Sequence, residues 1–356
     1  MLRVLHIVRR FGPVGGMERY VWRLTHELSQ LGVYVQVLCQ TVEGTVDPAI
    51  QVHRVDSSVE RRRWKAMRDF RGSCEEFWAG FPDNSKVIVH SHERCAFHNV
   101  TTFHGPPIGG VGSQFPWWKR LQPRIKAWSR FEQAELLGSQ VVAVIPVSSM
   151  IRNALKRIYP NVAHRMKNPG WPGLDYTDRK QNLGTGTKLL FVGREWKRKG
   201  LDIAINAYLK VKANHPGVTL DVYGVLESEV PRSLRVADRG VTFRGWQAVV
   251  PYELYDLLIH PARDEPFGMV VPEARAAGLS ILISDRVGAL DLPLSNVIKL
   301  SRHDDSLAWS RAIVDALRSE KPDSEVCWTW SDLAKWHVTD VYTDMGESSI
   351  PLSRGL

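Results

Sequence analysis

The sequence predicts an α/β protein built from two doubly wound domains in tandem, and three observations carry that expectation. The chain has 356 residues, more than twice the roughly 150 of an average domain. In both halves short apolar runs alternate with longer amphipathic segments, the rhythm of parallel strands joined by crossover helices. Between the halves lies KNPGWPGLD, residues 167–175, rich in Pro and Gly and without apolar periodicity, which reads as a linker. The expected division is 1–168, a linker at 169–175, and 176–335, with a final helix at 336–356 rejoining the first domain.

The elements follow in order. Leu2 to Val8 is a buried strand, Arg9 to Gly16 a loop, and the next segment a helix with Tyr20, Val21, Leu24, Leu28 and Leu31 on one face. Gly32 closes that helix, since glycine accepts the left-handed turn after a last helical residue. Val33 to Cys39, Gln51 to Val55, Lys86 to His90, Val100 to Phe103 and Gln140 to Val147 read as strands. Pro123 starts a helix that continues to Leu137, with Ile125, Trp128 and Leu136 toward the core. Ser148 or Ser149 caps another that runs to about Tyr159. The second rhythm opens with the strand Lys188 to Val192 and a helix after Gly200 burying Leu201, Ala204, Ile205, Tyr208 and Val211. Leu220 to Tyr223, Val241 to Phe243, Leu257 to His260 and Leu279 to Ser284 complete a second sheet, and the Trp-rich tail 328–345 is expected to be helical.

Composition narrows the function. Hydrophobic residues at 44% and charged residues at 24% exclude a disordered, collagen-like or disulfide-scaffold chain. The four cysteines stand far apart without a C-x-x-C pair, so a reducing, cytoplasmic setting is expected and no structural metal is. No apolar run reaches the roughly 18 residues of a membrane span, and Arg3 and Arg9 interrupt any signal-peptide core. Residues 1–170 hold 24 Lys and Arg against 13 Asp and Glu, a balance of +11, whereas 171–356 carry −2. A one-sided positive field attracts an anionic partner. Trp117 and Trp118 beside Lys119 and Arg120, together with the Arg run at 61–63, suggest a peripheral contact with an anionic membrane face.

Ligands of open α/β sheets bind beyond the carboxyl ends of strands, and there the chain concentrates unusual residues. After the strand Leu257 to His260 comes HPARDEPFGMVVPEARAAG, in which a helix should start near Gly268. Glu265 stays in the loop and Glu273 falls about one turn into that helix, whose free N–H groups suit a phosphate. FVGREWKRKG places Arg194 and Lys199 between a strand and a helix, where two cations can neutralise a diphosphate. Lys197 and Arg198 read as solvated neighbours. In GPVGGME, after the first strand, Gly15 and Gly16 permit positive φ and close approach of backbone to a ligand. No two aspartates stand at i and i+2, so the D-x-D metal clamp is missing, and metal-independent chemistry without a cofactor is expected.

These motifs resemble those of the retaining glycosyltransferases of family 4. The match covers Glu265-x7-Glu273 with Pro266, Phe267, Gly268, Ala274 and Gly278 around it, Gly193-Arg194 with Lys199-Gly200, the Gly15-Gly16 loop, and TFHG at Thr102 to Gly105. It extends to Val147-Ser148, to Phe243–Gly245 and to Trp330. The resemblance implies the GT-B fold, two facing Rossmann-like domains with an interdomain cleft, the first binding the acceptor and the second the nucleotide sugar. It further implies catalytic roles for His104, Glu265, Arg194 and Lys199. Donor contacts would come from Gly15, Gly16, Arg194, Lys199, Phe243, Phe267, Gly268, Met269, Val270 and Glu273, with Glu273 on the ribose. The implied reaction moves a hexose, from a UDP sugar in preference to a GDP sugar, to a glycan or glycolipid such as lipopolysaccharide core. Departures from the pattern are Gly288-Ala289 with Asp291 in place of Gly-Gly with Glu, and the long linker. The alternatives are an epimerase or phosphorylase of the same fold, a binding-only relic of an enzyme, or a basic nucleic-acid-binding protein, for which no recognition motif is visible.

Overall fold

The computed structural model describes residues 1–56, 62–82, 86–108, 121–301 and 305–343. It divides into two compact units: Met1–Gly173 with the described residues from Trp330 on, and Leu174–Thr329.

In the first unit the apolar runs form β1 (Arg3–Ile7), β2 (Tyr34–Cys39), β3 (Gln51–Arg54), β4 (Ile88–Ser91), β5 (Val100–Phe103) and β6 (Ala143–Pro146). Every pairing is parallel, in the order β3-β2-β1-β4-β5-β6. This is the doubly wound order whose direction reverses between β1 and β4, the place where such sheets bind ligands. Helices α1 (Gly16–Gln30), α2 (Arg63–Ala79) and α3 (Pro123–Leu137) make crossovers, and α4 (Ser149–Ile158) follows the last strand. α1 buries Tyr20, Val21, Leu24 and Leu28. Leu31, expected on the same face, is 43% exposed because the helix has ended by then, and Gly32 turns left-handed at φ +79°. Ser148 is the cap of α4: its hydroxyl accepts the Ile151 N–H. Leu5, Ile7, Met67, Phe70 and Val89 fill one core, and Phe103, Leu136, Val144, Ile151 and Leu155 another. Each such side chain contributes roughly 1.5–3 kcal/mol by leaving water.

The second unit repeats the plan. Strands β7 (Lys188–Val192), β8 (Thr219–Tyr223), β9 (Val241–Gly245), β10 (Leu257–His260), β11 (Ser280–Ser284) and β12 (Val297–Leu300) stand in the order β9-β8-β7-β10-β11-β12, all parallel. The reversal here lies between β7 and β10. Helices α5 (Leu201–Asn214), α6 (Val270–Ala276) and α7 (Ser306–Arg318) complete the unit. α5 buries the five residues expected of it, and Trp309 and Ile313 of α7 share their core.

Several expectations need correction. The strand read over 140–147 is only Ala143–Pro146, because Val142 points to solvent at 51% exposure. α2, α7 and β12 were not foreseen. The chain rejoins the first unit at Trp330, six residues before the expected 336, because Trp330 is buried with its ring edge-on to Tyr20 at 6.0 Å. From there α8 (Trp330–Trp336) and a π-helical turn, His337–Tyr342, pack into that unit. Arg61, Trp117, Trp118, Lys119, Arg120 and residues 344–356 lie outside the described residues. No described helix is long and apolar enough to cross a membrane.

Candidate functional site

In the second unit the loops after β7 and β10 meet at the reversal point. Gly193 leaves β7, and a short helical turn, Trp196–Lys199, ends at Gly200 in the left-handed conformation, φ +77°. A methyl at Gly193 would stand 2.9 Å from Lys199 Cγ, so the glycine makes room for the lysine stem to cross the strand end. Glu265 leaves the loop after β10, and its backbone is tied to residues 286–289. Its N–H donates to Arg286 O at 2.9 Å, its carbonyl accepts from Gly288 N at 3.0 Å, and Phe267 O accepts from Ala289 N at 2.8 Å. The departure at Gly288-Ala289 therefore lies at main-chain bonds, which do not depend on side chains. Gly268 takes φ +95°, with any added Cβ 3.0 Å from Glu265 Cγ.

The Glu265 carboxylate is nearly buried and gathers cations. Lys199 Nζ pairs with its Oε2, Arg198 Nη1 donates to the same oxygen at 3.1 Å and to Asp264 O at 2.7 Å, and His260 Nε2 lies 3.9 Å away. Burial, with Lys199 and Arg198 beside it, holds His260 neutral, well below the usual histidine range. Arg198 is thus not the solvated neighbour that the sequence suggested: the turn that closes at Gly200 swings it onto the Glu265 loop. Lys197 remains exposed. Arg194 is exposed at the strand end and makes no side-chain hydrogen bond or ion pair among the described residues.

Glu273 sits on the fourth residue of α6, half-buried, and accepts the Tyr252 hydroxyl at 2.7 Å. Tyr252 has no motif around it and escaped sequence reasoning. α6 begins at Val270 and spans seven residues, so its dipole is short; Met269 and Val270 are half-buried at its start and Phe267 is buried. Phe243 stands apart from this group, on the edge strand β9, two strands away from β7. There it leans on the core and lines a cavity of about 500 Å³ with Leu226, Glu227 and Ser228.

In the first unit the corresponding reversal point is bordered by the Gly15-Gly16 loop and the segment after β4. Neither glycine has positive φ; Gly15 is extended at −152° and caps α1. What Gly15 supplies is space, since a Cβ there would stand 2.2 Å from the folded-back Glu18 carboxylate. His104, just beyond β5, lines a cavity of about 400 Å³ with Met17, Glu93, Arg94, Trp128 and Glu135. Its ring packs edge-on to Tyr20 at 4.9 Å, and its Nε2 lies 3.1 Å from His92 Nδ1. Arg94 stacks over Phe103 and Trp128, at 5.6 and 5.4 Å, and pairs with Glu132 and Glu135, at 3.3 and 3.7 Å. Burial pushes the Glu135 carboxyl up to about 8. This arginine–glutamate group and the buried His6 were missed. His6, His90 and His92 bring ring nitrogens within 4.8 Å of one another, a grouping that could hold a metal ion. In this structure His6 Nδ1 meets His92 Nε2, His92 Nδ1 meets His104, and the His90 nitrogens meet Tyr342 and Thr102.

Comparison with known proteins agrees with this layout. Residues 14–167 match the family model described as Glycosyltransferase Family 4, and residues 186–319 that of Glycosyl transferases group 1. A glycogen synthase of Mycobacterium tuberculosis is 30% identical over 334 residues, covering 81% of this chain and 79% of that protein. The lipopolysaccharide glucosyltransferase WaaG of Escherichia coli K12 is 24% identical over 302 residues, 77% of this chain and 78% of WaaG. A crystal structure of WaaG superimposes with a TM-score of 0.74 at 19% identity, over 99% of this chain and all of that one. The structure of Anabaena HepE in complex with UDP-glucose gives 0.59 at 14% identity, over 98% of each chain.

Proposed function

Since the chain belongs to glycosyltransferase family 4 and is a glycosyltransferase of the GT-B fold, we propose that it moves a hexose from UDP-sugar to a glycan or glycolipid acceptor of the lipopolysaccharide-core type, retaining the anomeric configuration. The observation that carries this reading is the cluster at the β7–β10 reversal point: Glu265 held by Lys199 and Arg198, with the exposed Arg194 at the end of β7. A leaving diphosphate carries charge that cations at a strand end stabilise. Arg194 has no partner to give up for it among the described residues, and Lys199 can share its protons between the phosphate and Glu265. Glu265 holds the sugar hydroxyls and Glu273 the ribose. The acceptor hydroxyl attacks the anomeric carbon on the face the diphosphate leaves, the C–O bond to that phosphate breaks, and a phosphate oxygen takes the hydroxyl proton. These cations supply what a divalent ion supplies elsewhere, so catalysis runs without metal. The named relatives support the lipopolysaccharide-type acceptor and the UDP donor.

A ligand that binds only the folded state raises Tm. UDP should raise that of the wild type more than GDP or ADP does. Glu273→Gln should abolish that shift, and Arg194→Ala should weaken it and cut transfer at least about tenfold, or ~1.4 kcal/mol. A shift with GDP or ADP alone would replace the donor base, and a full UDP shift in Glu273→Gln would reassign the ribose contact.

On sequence grounds the basic segment with Trp117 and Trp118 adds a salt-sensitive contact with anionic membrane, each basic residue contributing about 1 kcal/mol. Flotation with phosphatidylglycerol vesicles at low salt should carry the wild type upward and lose the Trp117→Ala, Trp118→Ala variant. No flotation of the wild type removes the contact.

A further inference from the structure

His104 is the outer end of a chain of three imidazoles. Its Nε2 lies 3.1 Å from His92 Nδ1, and His92 Nε2 lies 3.1 Å from His6 Nδ1. His6 stands on β1 in register with His90 of β4, and the His92 backbone is pinned by its N–H to Ile7 O at 3.0 Å. His6 and His92 are buried; His92 and His104 both line the cavity, and of the three only His104 is more than marginally exposed. His90 closes the group from the side without entering the chain, because its nitrogens bond the Tyr342 hydroxyl at 2.7 Å and the Thr102 hydroxyl at 2.8 Å.

All three rings of the chain are neutral. Burial pulls His6 and His104 down to about 3 and His92 well below the ordinary range. A neutral imidazole donates from one nitrogen and accepts at the other, so the chain can run in only two directions. Running inward, His104 Nε2–H donates to His92 and His92 Nε2–H to His6. That leaves the His6 proton on Nε2, which is buried and has no hydrogen-bond partner among the described residues. Either kind of buried orphan, donor or acceptor, costs about 1–3 kcal/mol, but among backbone groups an orphaned N–H is rarer than an under-satisfied acceptor, and the same order is taken for the ring. Running outward, His6 Nδ1–H donates to His92, His92 Nδ1–H donates to His104 Nε2, and the orphan is a bare lone pair.

We propose that His92 and His6 are positioning residues that hold His104 as its Nδ1–H tautomer, so that His104 meets the ligand as a hydrogen-bond donor and not as a base. His104 Nδ1 makes no hydrogen bond among the described residues, which leaves this N–H to the ligand. That the ligand is the donor sugar, met at a hydroxyl or ring oxygen, rests on the proposed function and on the catalytic role that the family resemblance implies for His104; the tautomer itself does not.

The tautomer is read directly by two-bond 1H–15N correlation on the full chain labelled at histidine, with the His104 signals identified by their loss in His104→Gln. The expected pattern is a protonated Nδ1 and a bare Nε2; a proton on Nε2, or an imidazolium, overturns the proposal. The variant pair His92→Asn and His92→Leu separates positioning from packing, because asparagine keeps an N–H where His92 Nδ1 stood. The Leu variant should lose kcat at least about tenfold with little change in donor KM, and the Asn variant should recover most of it. Equal losses in the two overturn the positioning role. If the spectra show Nδ1–H while His104→Gln keeps wild-type kcat, the hydrogen-bond chain stands and the placement of His104 at the donor sugar falls.

Discussion

Glu265→Gln should lower both stability and turnover, and the two losses have separate causes. The side chains of Glu265 and Lys199 are 10% and 13% exposed, and Arg198 is 36% exposed. Removing the carboxylate charge leaves an ammonium and a guanidinium side by side against His260, which burial keeps neutral. Exposed pairs contribute ~0–1 kcal/mol, and stripping one partner from a buried pair costs ~3–5 kcal/mol. This pair lies between those limits, so about 2–3 kcal/mol is expected, read as a lower urea midpoint. In a cycle with Lys199→Met, the double variant should be less destabilised than the sum of the singles, since each single strands a charge that the other removes. Turnover should fall at least about 100-fold, ~2.7 kcal/mol, in Glu265→Gln, and at least about tenfold in Lys199→Ala. A wild-type midpoint in Glu265→Gln would deprive the pair of structural weight, and an unchanged kcat would remove Glu265 from the reacting site.

Gly200→Ala should be the most damaging single methyl in the second unit. Its φ of +77° suits glycine, and an added Cβ would lie 2.0 Å from the carbonyl oxygen of Pro261. That oxygen belongs to the loop after β10, so the methyl would force apart the two loops that bring Lys199 and Glu265 together. Left-handed backbone costs a non-glycine residue about 1–3 kcal/mol and overpacking a similar amount. The sum, about 2–6 kcal/mol, corresponds to a fall in Tm of roughly 5–20 °C in a unit of this size. Gly217, with nothing within 4 Å and no positive φ, is the control, and Gly217→Ala should leave Tm in place. Equal Tm values for the two variants would show that the loops yield freely.

The strands at Lys188–Val192, Val100–Phe103 and Leu257–His260 were legible to the residue, because a buried parallel strand is a short apolar run with polar ends. α7 carries a local signal: Asp305 accepts the Leu307 and Ala308 N–H groups as a cap, with Trp309, Ile313 and Ala316 behind it at helical spacing. α2 was harder, since no side chain caps it and only Met67, Phe70 and Cys74 are buried in a run otherwise dense with charge. In the candidate site the two glutamates and Lys199 were visible as a motif, each within a few residues of a strand or helix boundary. Arg198 was not, because which member of a Lys-Arg-Lys run turns inward is decided by the left-handed step at Gly200. His6 could not be found by spacing at all. It meets its partner across 86 residues of sequence, through the parallel pairing of β1 with β4, and nothing local marks a strand histidine as one end of a hydrogen-bonded chain.

The return of the chain at Trp330 also sets an order of assembly. The second unit is a single stretch, Leu174–Thr329, and can close its core as soon as it has left the ribosome. The first unit cannot, although its sheet is synthesised earlier. Tyr20 on α1 waits for Trp330, and His90 on β4 waits for Tyr342, a partner 252 residues downstream. Until α8 arrives, the seat for the buried Trp330, Leu333, Ala334 and Tyr342 is open apolar surface on a nascent chain, the kind of exposure that chaperones cover. A domain begun first is thus finished last. Its histidine chain takes its final surroundings only when the C-terminal segment has docked, so a chain whose synthesis stops short of Trp330 can present a folded second unit without a completed first.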